Sequence, residues 1–579
     1  MIRACAFSLR AAVARFRVNA NLMANSAAMV TLLLCQGAVC AQTSSTPAAW
    51  STTSTRAHPV GSAMLRSYLE PDESIEIVIA LKVRNQNRLR SLVTSLMTRG
   101  DPQYRRWQSH DAVMSNFAPT PAQAQAVVGF LTNMGFTNVS IEAGGFTVRA
   151  VGTAAVIRRS FNTELAHFKT EDGRDAVANT KDVQVPTELA DMVEAVLGLQ
   201  TLDGLKPMIV QQINPMNWPA IYDAQGLPTG SKTVVGVVTA GLMTQTLADL
   251  ATFETMDSIP PITPTVVYIG GTPTTNAGGD AEWDMDTQDI LAMAGGQLGG
   301  LMLYAGPSTF LEISMFDSNL ASVIGRVVSD NEAKVISVSL GECETTPNND
   351  GAMTVVDNLF AQAVLQGQTF VVASGDHGSR NCGSLVENGT WGTVRGDSYP
   401  ASSPYVVAAG GTTLSTGVGG ASYVGETGWS YSGGGPSLYE PMPSWQVGIV
   451  PGTMRGVPDV AFDADFTSVP NSEALYILDG AQTANAGTSL AAPLFAGAWA
   501  RLESATGNHL GFAGALLYAR SKSSSNMFHD ITSGNNDDYS AGPGWDYVTG
   551  FGSLDVRNAY NAIATPMWLP AVLQLLNSP

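Results

Sequence analysis

At residues 485–493 the chain reads Asn-Ala-Gly-Thr-Ser-Leu-Ala-Ala-Pro, so glycine and small residues deliver Ser489 to the start of an apolar helix predicted over 490–502. A hydroxyl there meets unpaired backbone N–H groups and the positive end of the helix dipole, which together can hold a developing oxyanion. Ser489 is a candidate nucleophile; serine is also a good N-cap, and the motif alone leaves both readings open. A hydroxyl needs a base, and histidine is the usual one. Beyond residue 206 only His377, His509 and His529 exist, and of these His377 is the serious candidate. The alternative base is a carboxylate. Glu282-Trp283-Asp284-Met285-Asp286 puts Glu282 and Asp286 at i and i+4, on one face of the helix entered there. Like charges at that spacing destabilise an isolated helix, although acids in a first turn also complement the dipole. Buried together, the two share a proton and titrate as a pair. Asp376, in Val-Val-Ala-Ser-Gly-Asp-His-Gly at 371–378, stands at the carboxyl end of a predicted strand, where α/β enzymes keep their sites. Protonated, it can donate to an oxyanion; an Asx-turn closing the strand is the other reading.

A second polar constellation follows, where Asp530-Ile531-Thr532-Ser533-Gly534-Asn535-Asn536 precedes Ala541-Gly542-Pro543-Gly544-Trp545-Asp546. Hard cations take several oxygen ligands at once, and carboxylates with carbonyls from glycine turns supply them. Without a cation the same loop reads as a solvated Gly/Asn turn.

Such groups need a rigid scaffold. From 213 to 562, apolar β-rich runs at 233–238, 265–269, 301–304, 335–340, 369–373 and 405–409 alternate with helical patterns such as 286–294 and 353–365. Most of these runs are apolar on both faces, the mark of a buried parallel sheet with crossover helices. Ahead of it, 75–81 alternates like a strand, 121–134 has helical spacing, 140–148 is strand-like and 154–161 reads as a helix, a small α+β unit over 58–200. Residues 42–57 are mostly Ser, Thr, Pro and Ala and are expected to form a flexible leader. Residues 201–212 are expected to be an exposed linker, and 563–579 a C-terminal tail.

The 579 residues carry 30 Lys and Arg against 49 Asp and Glu, a net charge of -19, which disfavours nucleic acid as a partner. Residues 1–206 hold 20 basic and 16 acidic side chains, and residues 207–579 hold 10 and 33. A surface of that kind repels itself at neutral pH and relaxes as carboxylates take up protons, which suits work in acid. Arg3, Arg10, Arg15 and Arg17 precede an apolar run at 27–34 and the small residues Val39-Cys40-Ala41, the pattern of a signal peptide over 1–41. The run is short for a membrane anchor. Export removes Cys5, Cys35 and Cys40 and leaves Cys343 and Cys382, which either pair in an oxidising compartment or stay as two buried thiols. The protein is expected outside the cell, as a monomer without stable membrane association.

Together these motifs resemble the sedolisin family, the serine-carboxyl peptidases, over nearly all of residues 58–560. Gly487-Thr488-Ser489-x-x-x-Pro493 is similar to the family's nucleophile motif, Glu282-x-x-x-Asp286 to its catalytic acid pair, and Ser374-Gly375-Asp376-x-Gly378 to the loop carrying its oxyanion aspartate. The stretches 399–404, 410–414, 432–435 and 457–460 also match in order, and a Cys343–Cys382 pair recurs in some members. The Gly-Thr-Ser motif alone is shared with subtilisins; its combination with the acid pair is specific. The resemblance implies an α/β fold, a subtilisin-like parallel sheet with flanking helices, preceded by an α+β, ferredoxin-like activation pro-domain. It implies an endopeptidase made as a zymogen, with Glu282 as base for Ser489, Asp286 orienting Glu282, and Asp376 stabilising the oxyanion beside the Ser489 N–H. A carboxylate base titrates far below imidazole, so activity is expected in acid. Ser339, Leu340, Gly341, Ser432, Gly433 and Gly434 would bind protein and peptide substrates. One structural calcium ion would be held by Asp530, Asp546 and the carbonyls of Ile531, Gly542 and Gly544. Leu340 stands where the family usually has an aromatic residue, so substrate contacts there are expected to differ. The rival readings are a neutral subtilisin-like serine hydrolase using His377, and a catalytically silent, calcium-stabilised binding protein.

Overall fold

The alternating run at 74–81 forms a strand whose inner residues are buried on both faces, and the reason lies in what covers each face. In the computed structural model, which describes residues 49–57, 65–169, 175–200, 213–311, 316–382, 394–417, 420–466 and 472–564, strand β1 (Ser74–Leu81) joins helices α1 (Gln86–Met97) and α2 (Pro121–Met134), strands β2 (Thr137–Ile141) and β3 (Thr147–Thr153), helix α3 (Ala154–Phe161) and strand β4 (Val193–Leu197). The antiparallel sheet runs in the order β2-β3-β1-β4, the split β-α-β arrangement of ferredoxin-like units. Ile77 and Ile79 pack with Val127 and Leu131 of α2 and Ile157 of α3. Val78 and Ala80, on the other face, join the core of the larger C-terminal region. Local signals set the helix ends: Thr120 and Gln123 form a capping box at the start of α2, and Gly135, at φ +95°, closes it.

Beyond residue 213 the chain builds β5 (Gly230–Ala240), α4 (Thr244–Met256), β6 (Thr265–Tyr268), α5 (Asp280–Met293), β7 (Leu298–Gly306), α6 (Phe316–Asp330), β8 (Val335–Val338), α7 (Ala352–Leu365), β9 (Thr369–Ala373), β10 (Val407–Thr416), β11 (Tyr423–Gly428), β12 (Val460–Asp463), β13 (Ala474–Leu478) and α8 (Thr488–Ala505). The sheet order is β6-β7-β5-β8-β9-β10-β11, with β12 also on β10. All pairs are parallel except β10 with β11. Strands such as β8 and β9 are buried throughout, as expected for a sheet covered by helices on both sides. Helices α5 and α8 approach closely because residue 497 is glycine; a Cβ there would lie 2.8 Å from the Ile290 carbonyl.

The N-terminal α+β unit rests on α6 and α7. Arg149 of β3 pairs with Glu142 at 2.7 Å and donates to Asn319 Oδ1 of α6 at 3.0 Å, and Ser322 of α6 donates to Glu142. Gln108 N–H donates to the Leu365 carbonyl at the end of α7, at 2.7 Å.

The expected flexible leader is corrected over its described part. Trp50–Thr52 forms a strand antiparallel to Gln184–Pro186, and the buried Thr53 and Thr55 hydroxyls donate to the carbonyls of Val183 and Val196, both at 3.0 Å. Backbone pairing and threonine hydroxyls order this segment, which its scarcity of apolar residues conceals. The expected signal peptide at 1–41, the linker at 201–212 and tail residues 565–579 lie outside the described residues. Among the described residues no helix is long and apolar enough to cross a membrane.

Candidate active site

Helix α8 begins where β13 and its hairpin return to the sheet, and Gly487 makes the turn at φ +98°. Glycine is required here twice over: the backbone angle disfavours a side chain, and a Cβ would lie 2.5 Å from Asp376 Oδ2. Asp376 follows β9 and is anchored on the residue before Ser489. Its Oδ1 accepts from the Thr488 N–H at 2.8 Å and the Thr488 hydroxyl at 2.7 Å, while Gly375 N–H donates to the Thr488 hydroxyl oxygen at 3.0 Å. Burial raises the Asp376 pKa, and the two Thr488 bonds and the neighbouring His377 pull against that rise.

Helix α5 supplies the acids. Glu282 and Asp286 share one face, as the spacing requires, and both approach the start of α8. Ser339, just past β8, joins them: its hydroxyl donates to Asp286 Oδ1 at 2.7 Å and approaches the Ser489 carbonyl at 3.3 Å. Burial pushes the Glu282 carboxyl up to about 8; hydrogen bonding by the Ser489 hydroxyl opposes this, the charge of Asp376 adds to it, and Ser339 opposes it again. Burial likewise pushes fully buried Asp286 well above its ordinary value, with Glu282 adding repulsion. Ser489 and Glu282 are each half-buried, so a substrate can reach the pair. The arrangement offers a hydroxyl beside a carboxyl base of raised proton affinity, a second acid one helical turn away, and a third carboxyl beside the nucleophile's backbone.

Two of the three histidines lie in other contacts. His529 stacks on Tyr423 with ring centroids 4.0 Å apart and pairs with Asp223 at 3.8 Å, and His509 offers its carbonyl to Arg105. His377 is half-buried beside Asp376; burial lowers its pKa, against the pull of the Asp376 charge.

A family description, the pro-kumamolisin activation domain, matches residues 62–202, and the subtilase family matches residues 295–552. Sedolisin of Pseudomonas sp. (strain 101) is 38% identical over 523 residues, 84% of this chain and 87% of that protein. The chain belongs to the sedolisin family. Xanthomonalisin of Xanthomonas sp. (strain T-22) is 35% identical over 559 residues, 86% of this chain and 67% of the relative. A solved structure of Pseudomonas sedolisin, a serine-carboxyl proteinase complexed with two molecules of pseudo-iodotyrostatin, matches at 39% identity with a TM-score of 0.55, covering 62% of this chain and 100% of that one. This chain is therefore a serine-type peptidase of the sedolisin family with a subtilase-like fold, made with an activation pro-domain.

Around the three carboxyls of this sedolisin-family site, the remaining expected residues fall in two groups. Ser339-Leu340-Gly341 runs alongside the acid pair, with the Leu340 side chain buried and Gly341 so close to Ser398 that a Cβ would strike its hydroxyl. Ser432 is fully buried: its hydroxyl donates to the Val548 carbonyl at 2.7 Å and accepts from Gly411 N–H at 2.9 Å. Gly433 N–H donates to the Gly375 carbonyl at 2.7 Å, and Cβ atoms at 433 and 434 would strike the Ser374 and Tyr547 carbonyls. The Ser432 and Leu340 side chains thus face the protein interior, and the backbone of 432–434 is largely spent there as well: the Ser432 and Gly434 carbonyls accept from the Asn536 side chain and the Gly433 carbonyl from the Ser374 hydroxyl. Cys343 and Cys382 form a disulfide with Cα atoms 4.8 Å apart, tying the segment after Gly341 to the loop after Asp376. Closing its 39-residue separation stabilises the fold by about 4 kcal/mol on the loop-entropy account.

The loop expected to hold calcium brings its residues together. Gly544 N–H donates to both oxygens of Asp530, each at 3.1 Å, and Gly542 N–H donates to Asp546 Oδ2 at 3.0 Å. Asp546 also accepts from the N–H groups of Val548 and Thr549. A Cβ at 542 or 544 would meet open space, so those glycines are not there to relieve crowding. The two carboxylates are thus brought to one glycine turn, and carboxylate oxygens are the donors a hard cation takes.

Two buried acids of α5 went unread in the sequence. Asp289 accepts from Trp218 Nε1–H at 2.6 Å, and burial pushes it up to about 8. Asp284, on the opposite face, is likewise pushed up to about 8 by burial, with nearby Asp249 adding to the rise. The available signal was acid density: Asp280, Glu282, Asp284, Asp286 and Asp289 fall in one short helical stretch whose later turns are wholly buried.

Proposed function

We propose that this chain is a secreted, acid-active serine-carboxyl endopeptidase in which Glu282 is the general base for Ser489. Ser489 Oγ attacks the peptide carbonyl as Glu282 takes its proton; the carbonyl oxygen becomes an oxyanion beside neutral Asp376 and the N–H groups opening α8. Glu282 then gives the proton to the leaving amine, an acyl-enzyme remains on Ser489, and water, deprotonated by the same carboxylate, clears it. Asp286 orients Glu282 and tunes its proton affinity. The carrying observation is the meeting of Ser489, Glu282 and Ser339-bound Asp286 at the start of α8.

Acid activity is supported by the acidic C-terminal region, and secretion by the pattern of residues 1–41. The pro-domain covers α6 and α7, and maturation is assigned to the 201–212 segment, triggered by acid. Asp530, Asp546 and the carbonyls of Ile531, Gly542 and Gly544 would hold a calcium ion, whose contribution is to cross-link the loop. The substrates are unfolded protein and peptides, met by the backbone of 339–341.

The test is cleavage of a denatured protein from pH 3 to 8 by matured Glu282→Gln and His377→Ala variants. Glu282→Gln is expected to lose about 10²–10⁴-fold in kcat while His377→Ala stays active. Near-normal activity of Glu282→Gln defeats the assignment, and no cleavage by the unchanged protein at any of these pH values revives the silent binding protein.

A further inference from the structure

Thr488 holds the Asp376 carboxyl, and the loop that carries Asp376 is also held by a turn far along the chain. Residues 536–539 form a tight turn between the bridged Asn535 and Ser540, with Asn536 N–H donating to the Tyr539 carbonyl at 3.0 Å and Asp537 at φ +80°. Two residues of this turn meet the loop after β9. The Asn536 carbonyl accepts from Ser379 N–H at 2.9 Å, and a Cβ on Gly378 would lie 2.9 Å from that same oxygen. Asp538 accepts from the Ser379 hydroxyl at 3.1 Å and from Nε and Nη2 of both Arg380 and Arg395, at 2.9 to 3.2 Å. Hydrogen bonds from Arg395 and Arg380 hold the Asp538 carboxyl well below the usual carboxylate range, so the knot keeps its charges in acid.

The fully buried Asn536 side chain extends the contact. Its amide nitrogen donates to the carbonyls of Ser432 at 3.0 Å, Tyr547 at 3.1 Å and Gly434 at 3.2 Å, a set that an NH2 group can meet and a one-proton hydroxyl cannot. The 431–433 stretch is in turn stitched to the Asp376 loop on both sides of the carboxyl. Before it, Gly433 N–H donates to the Gly375 carbonyl and the Ser374 hydroxyl donates to the Gly433 carbonyl, both at 2.7 Å. After it, Gly378 N–H donates to the Tyr431 carbonyl at 3.0 Å. Asn536 therefore bonds the loop directly through its backbone, and through its side chain it bonds the stretch to which that loop is stitched.

We infer that Asn536 is a positioning residue for the reaction: it fixes the loop 374–379 against 431–434, and so fixes where the Asp376 carboxyl stands when charge develops on the carbonyl oxygen. The inference rests on the reading of Asp376 as the oxyanion group. Such a group works only at the position the oxygen takes in the transition state, so a small displacement costs rate more than substrate binding. Thr488 secures one end of this arrangement, through Asp376 Oδ1 and the Gly375 N–H. The chain beyond Asp376 is set by Gly378 and Ser379, which bond to Tyr431 and Asn536. The loop 530–546, read as a cation loop, thereby also carries the support of the oxyanion loop.

The experiment is a double-mutant cycle. Asn536→Ala, Asp376→Ala and the pair are each cut at a cysteine-protease site inserted within 201–212, the protease is alkylated, and kcat and KM are measured on one peptide at acid pH. Asp376→Ala is expected to lose about 10²–10³-fold in kcat. Asn536→Ala is expected to lose about tenfold or more in kcat, with KM within about threefold of the unchanged enzyme. With Asp376 already alanine, Asn536→Ala is expected to cost less than about twofold more, because the support has no carboxyl left to place. Equal fold-losses in the two backgrounds, a rise in KM alone, or an unchanged kcat in Asn536→Ala overturns the proposal and leaves the Asp376 reading standing. Near-normal kcat in Asp376→Ala overturns that reading and the proposal with it. Should Asn536→Ala fail to fold, Asp538→Asn takes its place in the cycle, since it keeps the side-chain shape and loosens the hold on Ser379 and the two arginines. Its loss of about threefold or more in kcat must likewise vanish beside Asp376→Ala; a loss that persists there, or no loss at all, overturns the proposal.

Discussion

Replacing Gly487 by alanine asks an atom to fit where the nucleophile's turn leaves no room. The residue sits at φ +98°, a conformation costing about 1–3 kcal/mol for a residue with a side chain. The added Cβ would lie 2.5 Å from Asp376 Oδ2 and 3.4 Å from its Cγ, so the nearer contact falls about 1 Å inside an ordinary one. Overpacking of that kind costs a further 1–3 kcal/mol or so. Asp376 cannot yield cheaply, because its Oδ1 is bonded twice to Thr488. Taking roughly 3 kcal/mol in all, and about 2.1 cal/mol/K of unfolding entropy per residue over a domain of roughly 350 residues, Tm falls by about 4 °C. Gly480→Ala is the matched control: φ is +74° and the space around it is open, so only the backbone cost applies. The assay pairs thermal unfolding in a Ser489→Ala background, which prevents self-digestion, with kcat of the active forms on an unfolded protein at acid pH. Gly487→Ala is expected to lose about 10²-fold or more in kcat through displacement of the oxyanion carboxyl, and Gly480→Ala to stay near normal. Full activity in Gly487→Ala would refute the claim that Asp376 is held against this turn for the reaction.

Three other outcomes follow from the same geometry. Glu282, Asp284 and Asp289 are each pushed up to about 8, chiefly by burial, so the fold binds their protons more tightly than the unfolded chain does. Their stabilisation is complete below the ordinary carboxylate range and is lost as pH rises towards 8; denaturant unfolding of the Ser489→Ala protein should show stability falling by up to about 1.4 kcal/mol per pH unit for each such carboxyl, and a flat profile contradicts their burial. Chelation of calcium is expected to lower the Tm of the unchanged protein but not of Asp530→Asn, and an unchanged Tm after chelation refutes the calcium assignment. Arg149→Met removes the partner of buried Glu142 within the pro-domain and the charged bond across to Asn319, the latter a loss of about 1.5–3 kcal/mol at the pro-domain contact; the precursor should mature faster at a given acid pH, and an unaltered rate, followed by gel electrophoresis, argues against the docking role.

Much of the scaffold was legible because its signals are local. The run at 369–373 is a strand as read, and the one at 233–238 lies inside β5, because continuous apolar β-branched residues suit a sheet covered on both faces. Helix α5 began earlier than its apolar pattern indicated, at Asp280, since acids rather than apolar residues fill its first turns. The strand Trp50–Thr52 was missed because a partner 130 residues and more away makes it, through backbone bonds that composition does not report. Ser432 illustrates the converse: its motif was visible, yet its hydroxyl is spent inside the protein on Val548 and Gly411.

The sequence by itself determined what the backbone period enforces: that Glu282 and Asp286 share a face, that Ser489 opens a helix behind a glycine turn, and that the acids outnumber the bases where the chemistry lies. Only the tertiary structure decided which distant groups meet. Thr488 clamps Asp376 across a separation of 112 residues, Ser339 reaches Asp286 across 53, Cys343 meets Cys382, and Asp289 finds Trp218. Those meetings depend on strand order and on which face of the sheet each crossover helix takes, and no spacing along one segment records either.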